Sequence, residues 1–512
     1  MRYSAVVSTV LGLLASITTA DSNLTTDQQT QQKILQSDFT PPSVFENTNV
    51  VRTINLEKGY VRETVNVLVT NIDKLAQSEY YIPFEYDVMG KIGGFDARDK
   101  KHPDGGPLET YIASPSGLST SGGSLSSPTQ YYVVQLLEPL APKASITLSI
   151  SYHVLGALTP LPAAIKQDEK QYLIYNFSAY LPSVYKTIKQ KTKLKFPNAD
   201  VPEYTKTTGL TSAADPEKQG SSFTYGTYDT AKVAPGSTYP VSVRYEFNRP
   251  VLVASQLERD VEVSHWGGNL ATEERYWLRN DGASLANHFS RVAWSHQNFY
   301  INAGQASTSA VRELKVPLKA GSVDPYFTDD IGNVSTSRYR PNKVREASLE
   351  LKPRYPIFGG WKYSFRIGWN NALSSVLRKL KTPADTYILS VPLIEGPKPQ
   401  EGIQYEKLTF RVILPEGATN VQWQTYGGHG VPLLRAEQGL HKTFMDSLGR
   451  TELKLSASNV VDESRDVTVL VTYEYPFVAS LRKPATIFAG LAAAFVIIHL
   501  LLSVDTRIGK KA

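Results

Sequence analysis

Over most of the chain, apolar and polar residues alternate. Residues 63–69 put Val65, Val67 and Val69 on one face, and residues 145–152 do the same with Ile146, Leu148, Ile150 and Tyr152. In residues 191–196 the lysines Lys191, Lys193 and Lys195 share one face, and Leu194 and Phe196 lie on the other. A period of two marks a half-buried strand. Clusters of Gly, Pro and Ser punctuate these runs, notably at 114–128, which reads as a flexible loop. The pattern predicts a mainly β body. Its clearest helical stretch is 372–380, where Leu373, Val376, Leu377 and Leu380 share a face.

The two ends depart from this alternation. Arg2 precedes an apolar run, 5–14, and then small residues to Ala20, the three-part pattern of a cleaved leader. Near the other end, 487–504 is almost wholly apolar, with His499 as its one strong polar intruder and Pro484 just before it. That run suits a single membrane-spanning helix. A leader and one late span predict a lumenal body and a cytosolic tail. His499 either pairs with a polar group on another helix or sits neutral near the helix end.

The body itself reads as a duplication. Residues 241–247, followed by Pro250 and Val253-Ala254-Ser255, resemble 469–475, followed by Pro476 and Val478-Ala479-Ser480. The openings 50–71 and 261–280 correspond loosely, in the same order. The expected organisation is a signal peptide 1–20, a lumenal β-rich domain 21–255, a related domain 256–482, a transmembrane helix 484–504 and a tail 505–512. The fold class is thus two tandem β-sheet-rich domains followed by one helix.

Composition narrows the chemistry. The chain has 512 residues, 29 of them Tyr, and no Cys, which removes disulfides, thiolate metal sites and cysteine nucleophiles. Its net charge of +6 is modest for the length and indicates a solvated surface, not nucleic-acid binding. No His-Glu-x-x-His, P-loop or Gly-x-Ser-x-Gly motif occurs. Gly427-Gly428-His429-Gly430 reads as a tight turn, and Asp329-Asp330 as a solvated or capping pair in preference to a metal site. His265-Trp266 is expected to pack between strands. The lysine face of 191–195 is expected to be solvated, although anionic lipid or a diphosphate could meet it. No catalytic, metal or cofactor residue is assigned. Three N-x-S/T triplets, at Asn23, Asn176 and Asn333, are candidate N-glycosylation sites.

Several long motifs carry a family resemblance. They are Asp329-Asp330-Ile331-Gly332-Asn333-Val334-Ser335-Thr336-Ser337 and Leu351-Lys352-Pro353-Arg354-Tyr355-Pro356-Ile357-Phe358-Gly359-Gly360-Trp361-Lys362. His265-Trp266-Gly267 with Glu273-Glu274, Phe289-Ser290-Arg291, Glu169-Lys170-Gln171 and 445–450 support them. Together these resemble ribophorin I of the fungal type.

The resemblance implies a non-catalytic subunit of the endoplasmic reticulum oligosaccharyltransferase. That complex moves an oligosaccharide from dolichyl diphosphate to Asn of N-x-S/T sequons, and its catalytic centre lies in a multi-spanning subunit. Implied partners are that subunit, the other subunits, nascent polypeptides and the membrane. The Trp-Trp-Asp-Tyr-Gly motif of the catalytic subunit is absent here. Animal members have a long cytosolic domain, whereas about eight residues follow Val504 here, so ribosome docking is not carried over. Lys510-Lys511-Ala512 resembles a dilysine signal but stands one residue too close to the end, and retention by assembly is the expectation. A free-standing lumenal chaperone or lectin, and a membrane-anchored glycosidase using paired carboxylates, are the alternatives.

Overall fold

The computed structural model describes residues 33–35, 39–102, 105–115, 129–207, 210, 215–304, 307–383, 385–428, 430–443, 446 and 449–503. The expected signal peptide, Asn23, most of the 114–128 loop and the tail 505–512 lie outside the described residues.

The chain is mainly β. Its first half contains β1 (Lys33–Leu35), β2 (Phe45–Asn55), β3 (Val61–Asn71), β4 (Gln77–Phe84), β5 (Ile92–Asp99), β6 (Thr110–Pro115), β7 (Gln130–Leu140), β8 (Ser145–Val154), β9 (Thr159–Pro160), β10 (Ala164–Ile165), β11 (Tyr172–Ser178), β12 (Lys186–Lys195), β13 (Glu203–Tyr204), β14 (Glu217–Gln219), β15 (Ser222–Asp229) and β16 (Pro240–Glu246). The alternation in β3 is complete, with Val65, Val67 and Val69 all buried.

The second half contains β17 (Leu252–Ser264), β18 (Asn269–Asn280), β19 (Ser284–Leu285), β20 (Leu314–Leu318), β21 (Val323–Asp329), β22 (Arg338–Arg340), β23 (Ala347–Leu351), β24 (Lys362–Ala372), β25 (Leu377–Lys379), β26 (Thr386–Pro392), β27 (Ile403–Ile413), β28 (Thr419–Tyr426), β29 (Arg435–His441), β30 (Arg450–Val461) and β31 (Thr468–Glu474).

The halves share one topology. The seven-stranded order β14-β15-β12-β2-β3-β8-β5 corresponds strand for strand to β29-β30-β27-β17-β18-β24-β21. The order β13-β16-β11-β9 corresponds to β28-β31-β26-β25, and β6-β7-β4 to β22-β23-β20. Each long sheet has one parallel pair at its centre, β2 with β12 and β17 with β27. The bulge between Asn47 and Asn49 recurs between Ala254 and Gln256. Such bulges bend a strand at a fixed place, so their repetition marks duplication more sharply than strand pattern does. One hydrophobic cluster runs from Phe45 to Val251 and a second from Leu252 to Ala479. Each large apolar side chain placed there contributes about 1.5–3 kcal/mol.

Buried asparagines end the hairpins alike. Asn71 Nδ2 donates to the carbonyls of Leu75 (2.9 Å) and Leu140 (2.7 Å), and its Oδ1 accepts from Asp73 N–H. Asn280 Nδ2 donates to the carbonyls of Ser309 (2.8 Å) and Ile357 (3.1 Å), and its Oδ1 accepts from the N–H of Val251 and Gly282.

Two expectations need correction, and one element was not foreseen. Residues 372–380 are not an α-helix: β24 runs to Ala372, a 3-10 turn spans Leu373–Ser375, and β25 pairs with β26. A 3-10 turn places residues three apart on one side, so buried Leu373 and Val376 mimic a helical face. Val253-Ala254-Ser255 lies in β17, whereas Val478-Ala479-Ser480 belongs to the short helix Phe477–Ser480. The first joins two halves and the second leads out of the sheets, so the tripeptides are not equivalent. Finally, the helix Arg291–Asn302 was not predicted, because none of its residues is buried.

Candidate functional site

Strand β18 has 12 residues, about 40 Å of chain, so the second long sheet has two well-separated ends. One end meets the C-terminal helix and the other meets the first half.

At the first of these ends, the β17–β18 turn lies against the start of that helix. Trp266 Nε1 donates to the Ser480 carbonyl (2.9 Å), while Trp266 itself is 68% exposed. It therefore does not pack between strands as expected. His265 does: its ring lies among those of Tyr387, Tyr473 and Tyr475, hydrogen-bonded to the Tyr473 hydroxyl at 2.8 Å. Burial holds its pKa below the ordinary histidine value. Asp446 receives Lys483 Nζ at 2.7 Å and Arg450 Nε at 3.4 Å, and Arg450 Nη1 also reaches Glu262 of β17 at 2.9 Å. Burial raises the Asp446 carboxyl, but hydrogen bonds from Lys483 and Thr443 outweigh it and hold the group well below the usual carboxylate range. The sheet thus fixes the helix at its first turn.

The helix itself, Arg482–Ser503, is 22 residues long with none buried, and it is long and apolar enough to cross a membrane. His499 lies on it without burial, and its carbonyl accepts from Ser503 Oγ at 2.7 Å.

At the opposite end, the β2–β3 turn of the first half is docked. Lys58 Nζ pairs with Asp462 at 3.0 Å, and the Tyr60 hydroxyl donates to Asp462 at 2.7 Å. Glu463 takes Arg62 at 3.2 Å and His153 Nε2 at 3.2 Å. Burial raises the Glu463 carboxyl, yet the His153 hydrogen bond and the charges of His153, Arg62 and Lys58 bring it down to about 2. Asn459 Nδ2 donates to the Gly90 carbonyl at 2.8 Å, and a Cβ on Gly93 would stand 1.7 Å from the Asn459 carbonyl oxygen. Only glycine permits that approach. A segment without counterpart in the first half, 281–313, adds the β10–β19 pair and a bond from Ala283 N–H to Gln171 Oε1 at 2.8 Å.

Each half encloses a buried arginine at the same register position. Arg52 makes two bonds to Glu63 (2.9 and 2.8 Å), and Glu63 also accepts from the hydroxyls of Tyr152 and Tyr175 at 2.8 Å. A cavity of about 450 Å³ borders this cluster. Arg259 pairs with Glu274 and, at 2.8 Å, with Glu395, under the rings of Trp369 and Phe410. Glu274 is fully buried and also accepts from the Tyr276 hydroxyl. These carboxylates are consumed by arginine, tyrosine and backbone N–H groups, and Glu274 is not presented to a substrate.

The remaining residues singled out in the sequence are dispersed. Asn176 is exposed on β11 between buried Tyr175 and Phe177, and Asn333 is exposed beside buried Val334. Asp329 shapes its own turn: it accepts from Arg354 Nε (2.5 Å) and from the N–H groups of Ile331 and Gly332 (3.0 Å each). Among the described residues no group of three His, Cys, Asp or Glu is placed to hold a metal. Lys193 and Lys195 are exposed on β12, and Lys191 is half-buried. Gly427, Gly428 and Gly430 all have positive φ, as tight turns often require, and His429 lies outside the described residues. The Lys58–Asp462 and Trp266–Ser480 contacts were missed in the sequence, because each joins residues more than 200 positions apart.

A duplicated β body seated by its second half on one unburied apolar helix has the build of a protein anchored in a membrane by a single segment. A family model described as Ribophorin I matches residues 45–502, and the chain belongs to that family. Relatives carry the name dolichyl-diphosphooligosaccharide–protein glycosyltransferase subunit 1 or 1B. The Schizosaccharomyces pombe protein is 29% identical, over 89% of this chain and 95% of the relative. The Caenorhabditis elegans protein is 33% identical over 72% of this chain and 58% of the relative, and the Oryza sativa 1B protein 33% identical over 74% and 75%. An M1 zinc metallopeptidase of Deinococcus radiodurans matches 43% of this chain and 42% of its own at 12% identity with a TM-score of 0.25, too low to bear on function.

Proposed function

We propose that this chain is a non-catalytic subunit of an oligosaccharyltransferase in the endoplasmic reticulum. The observation that carries this reading is the family match over 45–502, together with relatives named as subunit 1 of that enzyme. The body faces the lumen, the helix Arg482–Ser503 crosses the membrane, and the remainder is the cytosolic tail. Its two related domains are read as 21–255 and 256–482, which the division of the two cores close by, between Val251 and Leu252, supports. They scaffold the multi-spanning catalytic subunit and help present nascent polypeptide at N-x-S/T sequons. Two features support a scaffold: two packed cores joined by ion pairs, and paired carboxylates already consumed inside them. Asn176 and Asn333 are exposed and suited to carry glycans, as proposed also for Asn23.

A transfer assay tests the reading. The purified chain should move no oligosaccharide to an acceptor peptide, and should raise transfer when combined with the catalytic subunit. Normal turnover by the chain alone would overturn it.

A further inference from the structure

We propose that the cavity beneath the β17–β18 turn holds one membrane phospholipid with a zwitterionic headgroup, an inference that rests on reading Arg482–Ser503 as a membrane span. The cavity measures about 590 Å³ and opens between the turn and the first turns of the helix. Its walls differ sharply. Ile487, Phe488 and Leu491 form the side nearest the helix, and each is more than half exposed. In a bilayer these side chains face acyl chains, so the cavity is continuous with the lipid phase. The opposite wall is polar and aromatic: Lys483, Arg450, Glu416, Trp266 and Tyr475.

The charges on that wall select the headgroup. Lys483 and Arg450 bring two positive charges, and the carboxylates already paired with them, Asp446 and Glu262, bring two negative ones. The balance gives no advantage to a net anionic lipid. A phosphate reaches Lys483, whose side chain is 42% exposed. The ammonium or choline group then meets the aromatic faces of Trp266 and Tyr475, which attract cations. A tryptophan at this level matches the aromatic belts at membrane–water boundaries. The cavity accommodates the headgroup and the start of the chains, while the rest stays in the bilayer.

The full chain is reconstituted in nanodiscs of equal phosphatidylcholine and phosphatidylserine, extracted in mild detergent, and weighed with its retained lipid by native mass spectrometry. One phosphatidylcholine should be retained. Trp266→Ala and Lys483→Gln should each lower its retention about tenfold, Trp266→Phe should restore part of it, and Lys193→Gln should change nothing. Alkaline extraction separates the two readings. Release of the wild-type chain from membranes at high pH would defeat the span. A chain that resists extraction yet retains no lipid, or prefers phosphatidylserine, or is indifferent to Trp266→Ala, overturns the lipid site alone. A photoreactive group at position 488 that labels a polypeptide instead of lipid in the native complex also overturns it.

Discussion

The hairpins β2–β3 and β17–β18 occupy the same place in their halves and touch different things. The first ends in Lys58 and Tyr60, bound to Asp462 in the second half. The second ends in His265 and Trp266, one packed among tyrosines and the other exposed beside the start of an apolar helix. One tip is saturated with charged hydrogen bonds, as a fixed contact inside a protein requires. The other presents an amphipathic ring that is largely exposed, with its one N–H on the Ser480 carbonyl. The duplication thus stacks the molecule in one direction: first half on second half, second half on helix. What is retained between copies lies inside, namely the bulge, the terminal asparagine and the buried arginine. What differs lies at the tips and in the added segment 281–313.

The largest test breaks the shared interior. Arg259→Ala strands Glu274 and Glu395 and should cost about 3–5 kcal/mol, read as a lowered denaturant midpoint of the second half. Arg52→Ala should cost less, because the 450 Å³ cavity beside Glu63 admits water to the abandoned carboxylate. Equal losses would mean that the cavity does not relieve the charge.

Next comes the saturated tip. Asp462→Ala leaves the Tyr60 hydroxyl without its acceptor and Lys58 with Glu463 alone, at 3.5 Å, as its carboxylate partner, and should cost about 1–3 kcal/mol of docking. Limited proteolysis near 248–251 should accelerate while each half keeps its own core. The same contact carries a pH signature. The Glu463 carboxyl lies at about 2 in the folded chain against an ordinary 4.5, so its contribution is complete above about 4.5 and is lost as pH falls towards 2. Cleavage near 248–251 should rise over that window, and Glu463→Gln should flatten the rise. The smallest effect belongs to the exposed tip: Trp266→Ala should change the unfolding midpoint by less than about 1 kcal/mol, since 68% of the residue is already in solvent.

The β architecture was legible in the sequence because strand faces obey a period of two, and buried Val65, Val67 and Val69 follow it without exception. The duplication was also legible, although one of the tripeptides used to see it is a strand and the other a helix. Residues 372–380 misled because a 3-10 turn between two strands repeats the spacing of a helix face. The helix Arg291–Asn302 offered no apolar stripe, and its one local signal was Ser290, whose Oγ accepts from Ala293 N–H. The contacts of the hairpin tips were invisible, since pairing of Lys58 with Asp462 is decided by how two finished cores stack and not by local pattern.

The most direct test of the central claim is purification of the tagged full chain in mild detergent, with quantitative mass spectrometry of what elutes with it. The account predicts a stoichiometric multi-spanning subunit carrying a Trp-Trp-Asp-Tyr-Gly motif. Elution alone, or with scattered secretory polypeptides, would contradict it and favour a free-standing chaperone.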